Sequence, residues 1–242
     1  MPAQKYEEIY KDLKTKIEDG IYQPQELLPG EYALSENYSC SRNTVRRAIS
    51  MLVSDAYVQS IHGKGVVVIY QKQEQQLYLI GGIESLKEAA ARNHKSYRTK
   101  IIHFAEFIVD ERIHERTGFE VGAEVYYVQR VRYFDDTATI LDNNWFLKRV
   151  VHDLTPEICE QSVYEYMEKT LGETIVTTKR KLTVEKVTQI DEKYLDLGDY
   201  NCMAVVTGWT YNKDGVMFEY TQSRHRADKF EFDTQAQRVR LL

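Results

Sequence analysis

The sequence predicts an α+β protein of two domains, and three observations lead to that prediction. Up to Val53, apolar residues recur at three- and four-residue steps, which is the spacing of one helix face. Later in the chain, apolar and polar residues alternate, as they do in strands of a sheet with one buried face. Between these patterns lies a polar, glutamine-rich stretch typical of a short linker. We therefore divide the chain into a domain at residues 1–70, a linker at 71–77 and a domain at 78–242.

Composition narrows the class of protein. The 242 residues are 43% hydrophobic and 29% charged, which excludes disorder as the main state. With 32 basic and 37 acidic residues the net charge is −5, so the chain is not a basic nucleic-acid coat. No apolar run approaches the roughly 20 residues of a membrane span, so we expect a cytoplasmic protein with no membrane partner. Three scattered cysteines fit neither a disulfide framework nor a metal site, and we expect them to be buried.

The first domain is predicted to begin with three helices. An apolar stripe that ends at Gly20 marks the first helix, and its members are Tyr6, Ile9, Tyr10, Leu13 and Ile17. A short second helix is expected to begin after Pro29-Gly30 and to run to about Tyr38. Ser41 is a suitable N-cap for a third helix. The core-facing residues of that helix are Val45, Ala48, Ile49, Leu52 and Val53, and its other side carries Asn43, Arg46, Arg47 and Ser50.

A β-hairpin is predicted after these helices. Its two strands are Val58 to Ile61 and Val66 to Ile69, and residues 62–65 form the tip. Three helices followed by a hairpin form a winged helix-turn-helix, in which the second helix of the pair enters the DNA major groove. Four of the eight basic residues before Tyr70 lie on the third helix and the hairpin tip: Arg42, Arg46, Arg47 and Lys64. These arginines form either a solvated helix face or a DNA contact, and the N-cap and glycine-tipped hairpin favour DNA.

The second domain is predicted to be built around an antiparallel sheet with helices between strands. The predicted strands are Glu124 to Phe134, Thr139 to Leu147, Ile175 to Lys186, Met203 to Tyr211 and Val216 to Arg226. The predicted helices are Ile83 to Arg92, a short piece near Asp110 to Thr117, Ser162 to Leu171, and Asp191 to Leu197. Residues 212–215, which contain an Asp-Gly pair, are predicted to form a hairpin turn.

Two arginines lie on one face of a predicted strand. Arg130 and Arg132 are two residues apart among apolar neighbours, so they project to the same side at a spacing of roughly 7 Å. Buried guanidinium groups need a partner. Either a carboxylate of the protein, Asp142 or Glu219, forms an internal ion pair with them, or an anionic ligand does; a phosphate accepts hydrogen bonds from two such groups.

Another strand adds groups that suit a sugar. Glu219 and His225 share a face because an even number of residues separates them, and hydroxyl groups lie between them. A carboxylate, an imidazole and hydroxyls beside two arginines suit a ligand with a phosphate and several hydroxyls. Ser162 precedes an apolar-periodic helix and is either a plain N-cap or an anion contact. Tyr164 is either a core or a pocket residue.

The first domain resembles the DNA-binding domain of the GntR family of bacterial transcription regulators. The resemblance lies in Leu28-Pro29-Gly30-Glu31, Ser41-Arg42-Asn43-Thr44-Val45-Arg46-Arg47-Ala48 and His62-Gly63-Lys64-Gly65. It implies that Arg42, Thr44 and Arg46 contact bases and phosphates, that Ser41 caps the recognition helix near a phosphate, and that Gly63 and its neighbours enter the minor groove. The predicted DNA-binding set is Glu31, Ser41, Arg42, Thr44, Arg46, Arg47, His62, Gly63 and Lys64. Gly30 and Tyr32 stand where the family usually has serine and a basic residue beside the glutamate, so the DNA sequence read should differ accordingly.

The second domain resembles the UTRA effector domain of the HutC-like subgroup, whose fold is similar to chorismate lyase. The resemblance lies in the Arg-x-Arg strand, Asp142, Ser162-x-Tyr164, Glu219 and residues 224–230. It implies that a phosphate is bound by Arg130, Arg132, Ser162 and the backbone near Gly82, Ile83, Glu84 and Ser85. It also implies that Asp142, Glu219 and His225 read the sugar. Many relatives have glutamate in place of Asp142 and tyrosine in place of His225, which indicates a different sugar from theirs.

Within this family, residues 81–85 and 219–226 are similar to those of members that repress trehalose operons in Gram-positive bacteria. That resemblance implies trehalose 6-phosphate as the effector. We therefore expect a homodimeric repressor that binds operator DNA, needs no cofactor and leaves the DNA when a sugar phosphate binds. Three alternatives remain: a regulator of this type with a different sugar phosphate or small acid, a chorismate-lyase-like enzyme fused to a DNA-binding domain, and a constitutive DNA-binding protein. No common catalytic motif or metal-ligand spacing is present in the sequence, so we expect no catalytic or metal site.

Overall fold

The computed structural model describes residues 5–71, 83–92 and 94–231. These residues fall into two compact units on either side of the segment 72–82. The predicted linker at 71–77 and the predicted effector residue Gly82 lie in or beside that segment, so apart from Gln71 they lie outside the described residues.

The first unit contains three helices and a two-stranded sheet. The helices are α1 (Lys5–Glu18), α2 (Glu31–Asn37) and α3 (Arg42–Ser54), and the strands are β1 (Val58–Ile61) and β2 (Gly65–Val68). The hydroxyl of Ser41 accepts a hydrogen bond from the backbone N–H of Thr44, which confirms the predicted N-cap of α3. Buried apolar residues of all three helices and both strands form one core. The winged helix-turn-helix prediction is confirmed.

The second unit contains one six-stranded antiparallel sheet in the order β3-β4-β5-β8-β7-β6. Its strands are β3 (Tyr97–Ile108), β4 (Glu124–Phe134), β5 (Thr137–Leu147), β6 (Ile175–Lys186), β7 (Cys202–Asn212) and β8 (Met217–Arg226). The predicted Asp-Gly turn joins β7 to β8, and Gly215 there has a φ of 72°. The α+β class and the antiparallel sheet are confirmed.

Five helices cover this sheet: α4 (Leu86–Arg92), α5 (Glu111–Thr117), α6 (Pro156–Glu160), α7 (Val163–Tyr166) and α8 (Gln189–Tyr194). Helices α4, α6 and α7 pack on the face that carries Arg130, because Ala90, Cys159 and Val163 meet that side of the sheet. Helices α5 and α8 lie on the opposite face, where Thr117 accepts a hydrogen bond from Trp209.

Several boundaries differ from the prediction. Helix α4 begins at Leu86, so residues 83–85 are not helical, and the predicted helix from Ser162 to Leu171 becomes α7 followed by a π-helical turn at Met167–Leu171. Strand β3 and helix α6 were not predicted. Of the three cysteines only Cys159 is buried, while Cys40 and Cys202 are half-buried and all three are free.

Candidate functional site

The first unit presents a basic, exposed surface on α3. Arg42 and Arg46 are exposed, and both contact the carboxylate of Glu31 at the start of α2. Arg46 donates from Nε to both carboxylate oxygens at 2.9 Å, and Arg42 donates from Nη2 at 3.3 Å. The hydrogen bond from Arg46 lowers the pKa of Glu31. The Glu31 carboxylate therefore contacts both of the arginines that are predicted to read DNA.

The remaining predicted DNA contacts surround these arginines. The guanidinium of Arg47 lies 3.8 Å from the ring centre of Tyr6, so Arg47 on α3 packs against Tyr6 on α1. The hydroxyls of Ser41 and Thr44 are 2.8 Å apart at the start of α3. The hairpin tip is exposed at His62, Gly63 and Lys64, and Gly63 has a left-handed φ of 73°.

The second unit contains a cavity between one sheet face and the starts of α4 and α7. The structure brings into its wall nine of the eleven predicted effector residues: Glu84, Ser85, Arg130, Arg132, Asp142, Ser162, Tyr164, Glu219 and His225. Ile83 does not line this cavity, so its predicted role finds no support, and Gly82 lies outside the described residues. The alternation of side chains along β4, β5 and β8 places this set on one face.

Arg130 is buried in the cavity wall without a carboxylate contact among the described residues. Its Nε and Nη2 donate to Oδ1 of Asn144 at 3.2 and 2.7 Å, and its Nη1 donates to the carbonyl of Cys159 at 3.1 Å. Burial, together with the neighbouring charge of Arg132, lowers the pKa of Arg130 to about 10. The group is still a cation at neutral pH, held by neutral oxygens.

Arg132 has a carboxylate partner. Its Nε donates to Oδ2 of Asp142 at 2.7 Å and its Nη1 donates to Thr99 at 2.8 Å. Burial acts to raise the pKa of Asp142, but the charges of Arg132 and Arg130 outweigh it and the pKa is lowered. The internal ion-pair interpretation is thus confirmed for Arg132 with Asp142, and it does not extend to Arg130.

The carboxylate of Glu219 bonds to Asn144 and Tyr164 and not to the Arg132–Asp142 pair. Its Oε1 accepts from Asn144 at 3.0 Å and its Oε2 accepts from the Tyr164 hydroxyl at 2.6 Å. Burial raises the pKa of Glu219 despite these bonds, and burial beside Glu219 also raises the pKa of Tyr164. Asn144 therefore joins Arg130 to Glu219, and Tyr164 is a pocket residue as well as a packed one.

His225 and Ser162 complete the predicted set. The ring of His225 lies 4.9 Å from the ring of Phe230, and burial lowers the pKa of His225 to about 4, so the imidazole is neutral near pH 7. Ser162 accepts from the backbone of Glu165 at 3.2 Å as the N-cap of α7, which confirms the plain capping interpretation while its side chain lines the cavity.

Further polar residues of the wall were missing from the predicted set: Asn144, Gln161, Thr178, Arg180 and Thr210. The wall also contains Thr221 and Ser223, the hydroxyl residues that alternation predicts between Glu219 and His225. Asn144 lies two residues after Asp142, so the alternation rule could have included it. Thr178 and Arg180 lie on β6, and only the strand order of the folded sheet brings them to this cavity.

No group of metal-ligating side chains occurs in the described part of the chain. Within the same residues, none of the helices is both long and apolar enough to cross a bilayer.

Comparison with known proteins gives two family matches. Residues 5–68 match the bacterial regulatory proteins of the gntR family, and residues 92–231 match the UTRA domain. The chain is also similar to the HTH-type transcriptional regulator TreR of Bacillus subtilis, with 38% identity over 232 residues that cover 96% of this chain and 97% of the relative.

Solved structures agree with these matches. The effector binding domain of the B. subtilis trehalose repressor TreR is 36% identical, with a TM-score of 0.53, over 59% of this chain and 99% of that domain. The possible transcriptional regulator YydK of B. subtilis is 21% identical, with a TM-score of 0.81, over 97% of this chain and 100% of its own, which supports the fold.

Proposed function

The chain belongs to the GntR family of bacterial transcription regulators that carry a UTRA domain, and we propose that it is a repressor released from operator DNA by trehalose 6-phosphate. The families and relatives are regulators of transcription, so the enzyme alternative is not retained. One observation carries the choice of a phosphorylated effector: two buried arginines face one cavity, and only one of them contacts a carboxylate within the described residues.

The electrostatics of the cavity favour an anion. Arg130 and Arg132 are both buried, and Asp142 neutralises one charge. Glu219 lies in the same wall, but its carboxylate bonds to Asn144 and Tyr164, so no carboxylate of the described residues contacts Arg130 directly. A phosphate accepts several hydrogen bonds and would bring a negative charge into direct contact with Arg130. The oxygens of Asn144 and Cys159, which hold Arg130 now, are neutral and can be exchanged without separating an ion pair.

The groups around the arginines suit sugar hydroxyls. Asp142, Glu219, Tyr164 and the neutral imidazole of His225 all lie in the same wall and can donate or accept hydrogen bonds. The choice of trehalose follows from the 38% identity to TreR and from the 36% identity to the effector binding domain of the B. subtilis trehalose repressor.

DNA binding in the proposal uses α3 and the hairpin tip. Arg42, Thr44, Arg46 and Arg47 lie on α3 and Ser41 caps it, so the helix presents a basic N-terminal half to the major groove. A single winged helix buries little DNA surface, and we propose a homodimer in which two recognition helices engage two half-sites. The protein would then act in the cytoplasm, where operator DNA and sugar phosphate meet.

Release requires coupling between the two ligands. Lowering operator affinity a hundredfold needs about 2.7 kcal/mol of coupling free energy, which is within the range that effectors supply. The coupling is reciprocal, so saturating operator DNA must weaken the effector by the same factor.

The test is a thermal-shift panel followed by a reciprocity measurement. The panel contains trehalose 6-phosphate, trehalose, glucose 6-phosphate and glucosamine 6-phosphate, and a ligand at 100 times its Kd adds about 2.7 kcal/mol of stability. We expect selective stabilisation by trehalose 6-phosphate and an unchanged melting temperature with unphosphorylated trehalose. Stabilisation by another sugar phosphate alone would identify that compound, and not trehalose 6-phosphate, as the effector. Equal effector affinity with and without operator DNA would refute the repressor mechanism.

A further inference from the structure

The cavity extends well beyond the residues assigned to the phosphate. Its wall runs from Arg130 on β4 across β5, β8 and β7 to Arg180 on β6. The guanidinium groups of Arg130 and Arg132 already reach β5, where they contact Asn144 and Asp142. Three strand spacings separate β5 from β6, or about 14 Å, and a hexose 6-phosphate covers only about two spacings. A single phosphorylated sugar held by both arginines therefore leaves the β6 end of the cavity unfilled.

The far end is built around a glycine in the sheet interior. One cross-strand row runs from Asn144 through Thr221 and Gly208 to Arg180. A Cβ atom on Gly208 would lie 3.0 Å from Cγ2 of Thr221 and 3.7 Å from Oγ1 of Thr178. The φ of Gly208 is not in the left-handed region, so the backbone conformation does not require glycine here. The methyl group of Thr221 therefore packs against the Gly208 backbone, which itself lines the cavity because no side chain covers it. A glycine inside a strand often marks the close approach of a ligand or of another backbone.

Polar groups surround Gly208 at this end of the cavity. Arg180 is half-buried on β6, and its charge acts on the pKa of Tyr164, opposing the larger rise caused by burial. Thr178 and Thr210 lie beside it, with their hydroxyl oxygens 3.3 Å apart. Val206 supplies an apolar wall on the neighbouring row. Hydroxyls, a guanidinium and a flat apolar surface together suit a neutral pyranose ring.

We propose that Thr178, Arg180 and Gly208 form a second sugar subsite, which receives the unphosphorylated ring of a disaccharide phosphate and selects against single-ring sugar phosphates. This inference rests on the proposed function, since it presumes that a phosphate occupies Arg130 and Arg132. Arg180 donates to ring hydroxyls, and Gly208 lets the ring approach the sheet backbone without meeting a side chain. The subsite, not the phosphate contacts, then sets the choice between one ring and two.

The experiment compares two ligands on matched variants of the full chain by isothermal titration calorimetry. The ligands are trehalose 6-phosphate and glucose 6-phosphate, and the test variants are Arg180→Gln and Gly208→Ala. The control is Lys179→Gln, because Lys179 is exposed on the opposite face of β6, with its Nζ 5.7 Å from the Trp209 ring centre. Thermal unfolding without ligand checks that each variant is folded, and Arg180→Gln, which adds no atoms to the strand, remains informative if Gly208→Ala does not fold.

We expect wild-type protein to bind trehalose 6-phosphate at least tenfold more tightly than glucose 6-phosphate. Arg180→Gln and Gly208→Ala should each lower the trehalose 6-phosphate affinity at least tenfold and change any glucose 6-phosphate affinity less than twofold, while Lys179→Gln changes neither. Equal losses for both ligands, or no loss for either, would overturn the subsite and leave the proposed function standing. Failure of wild-type protein to bind any sugar phosphate would instead remove the proposed function, and the subsite with it.

Discussion

Arginine–carboxylate pairs occur in both units, and their exposure separates them. In the first unit Arg46 is 57% exposed and its partner Glu31 is 29% exposed. In the second unit Arg132 is 10% exposed and Asp142 is 9% exposed, although the N–O distances are similar, 2.9 and 2.7 Å. Water screens the first pair, which is expected to contribute less than about 1 kcal/mol. The second pair is buried in the cavity wall, so losing one partner leaves a charge that is poorly solvated.

The difference explains how one residue type serves two purposes. An exposed arginine can take a DNA phosphate or base as an additional or a replacement partner at small cost, because water stabilises any group that is released. A buried arginine must keep its partner or receive another anion in its place. The exposed pair is therefore suited to reversible DNA contact, and the buried arginines are suited to a ligand that enters the cavity as an anion.

The largest expected effect is that of Arg132→Ala on stability. The substitution leaves the Asp142 carboxylate buried without its ion-pair partner, which we expect to lower the free energy of unfolding of the second unit by about 3–5 kcal/mol. Urea denaturation followed by circular dichroism measures the change. The double variant Arg132→Met, Asp142→Leu should recover most of the loss, because it removes both charges. A loss below about 1 kcal/mol for the single variant would show that burial does not separate the two pairs.

The next effect is the pH dependence that His225 contributes. Burial lowers its pKa from 6.5 to about 4, although the nearby charge of Asp142 acts in the opposite direction. The imidazole of His225 binds a proton less tightly in the folded protein than in the unfolded chain. Its contribution to the free energy of unfolding is therefore fully present above pH 6.5 and is lost as the pH falls towards 4. The free energy of unfolding decreases by as much as about 3 kcal/mol over this range.

Urea unfolding of wild type and His225→Gln between pH 7.5 and 4 tests this expectation. The stability difference between the two proteins should change with pH over that window, in the direction of wild type losing more at low pH. His62→Gln is the control, since His62 is exposed at the hairpin tip and its surroundings change little on unfolding. A pH-independent difference for His225→Gln would mean that His225 is solvated in the folded state.

The third effect concerns the exposed arginines. Arg46→Ala should weaken binding to an operator, selected from random-sequence DNA, by about 1–3 kcal/mol, or roughly five- to 150-fold. The free energy of unfolding should change by no more than about 0.5 kcal/mol, because the lost ion pair is exposed. Fluorescence anisotropy and urea denaturation measure the two quantities. Arg112→Ala, at an exposed position of α5, is the matched control and should change neither. A large loss of stability in Arg46→Ala would show that the exposed pair with Glu31 stabilises the fold as much as the buried pair of Arg132 with Asp142.

Local patterns predicted much of this fold. Strands β1, β4 and β6 have the predicted bounds, because β-branched and aromatic residues are frequent in these segments. Strand β3 was missed, since a register shift between Ile101 and His103 interrupts its alternation and much of this edge strand is exposed. The π-helical turn after α7 was missed because apolar spacing does not distinguish it from an α-helix.

The candidate site was predictable only within single strands. Alternation placed Arg130 beside Arg132 and Glu219 beside His225. It could not place Arg180 or Gly208 in the same cavity, because the strand order that puts β6 at the far edge is a property of the whole sheet. Nor could it decide that Asp142 contacts Arg132 and not Arg130, since that choice depends on side-chain packing.

The smallest effect is that of Glu31, and it tests what an exposed carboxylate beside DNA-reading arginines does. The Glu31 carboxylate accepts from Nε of Arg46, and the hydrogen bonds between the two residues do not use the Nη groups, which a base edge can then accept from. Glu31→Ala should lower operator affinity by about 1 kcal/mol through loss of this orientation, while affinity for random DNA rises slightly because a negative charge is gone. Glu31→Gln should keep operator affinity near wild type, since the amide oxygen still accepts from Nε. Anisotropy at two salt concentrations gives both affinities, and an equal rise for operator and random DNA in Glu31→Ala would show that Glu31 acts through charge alone.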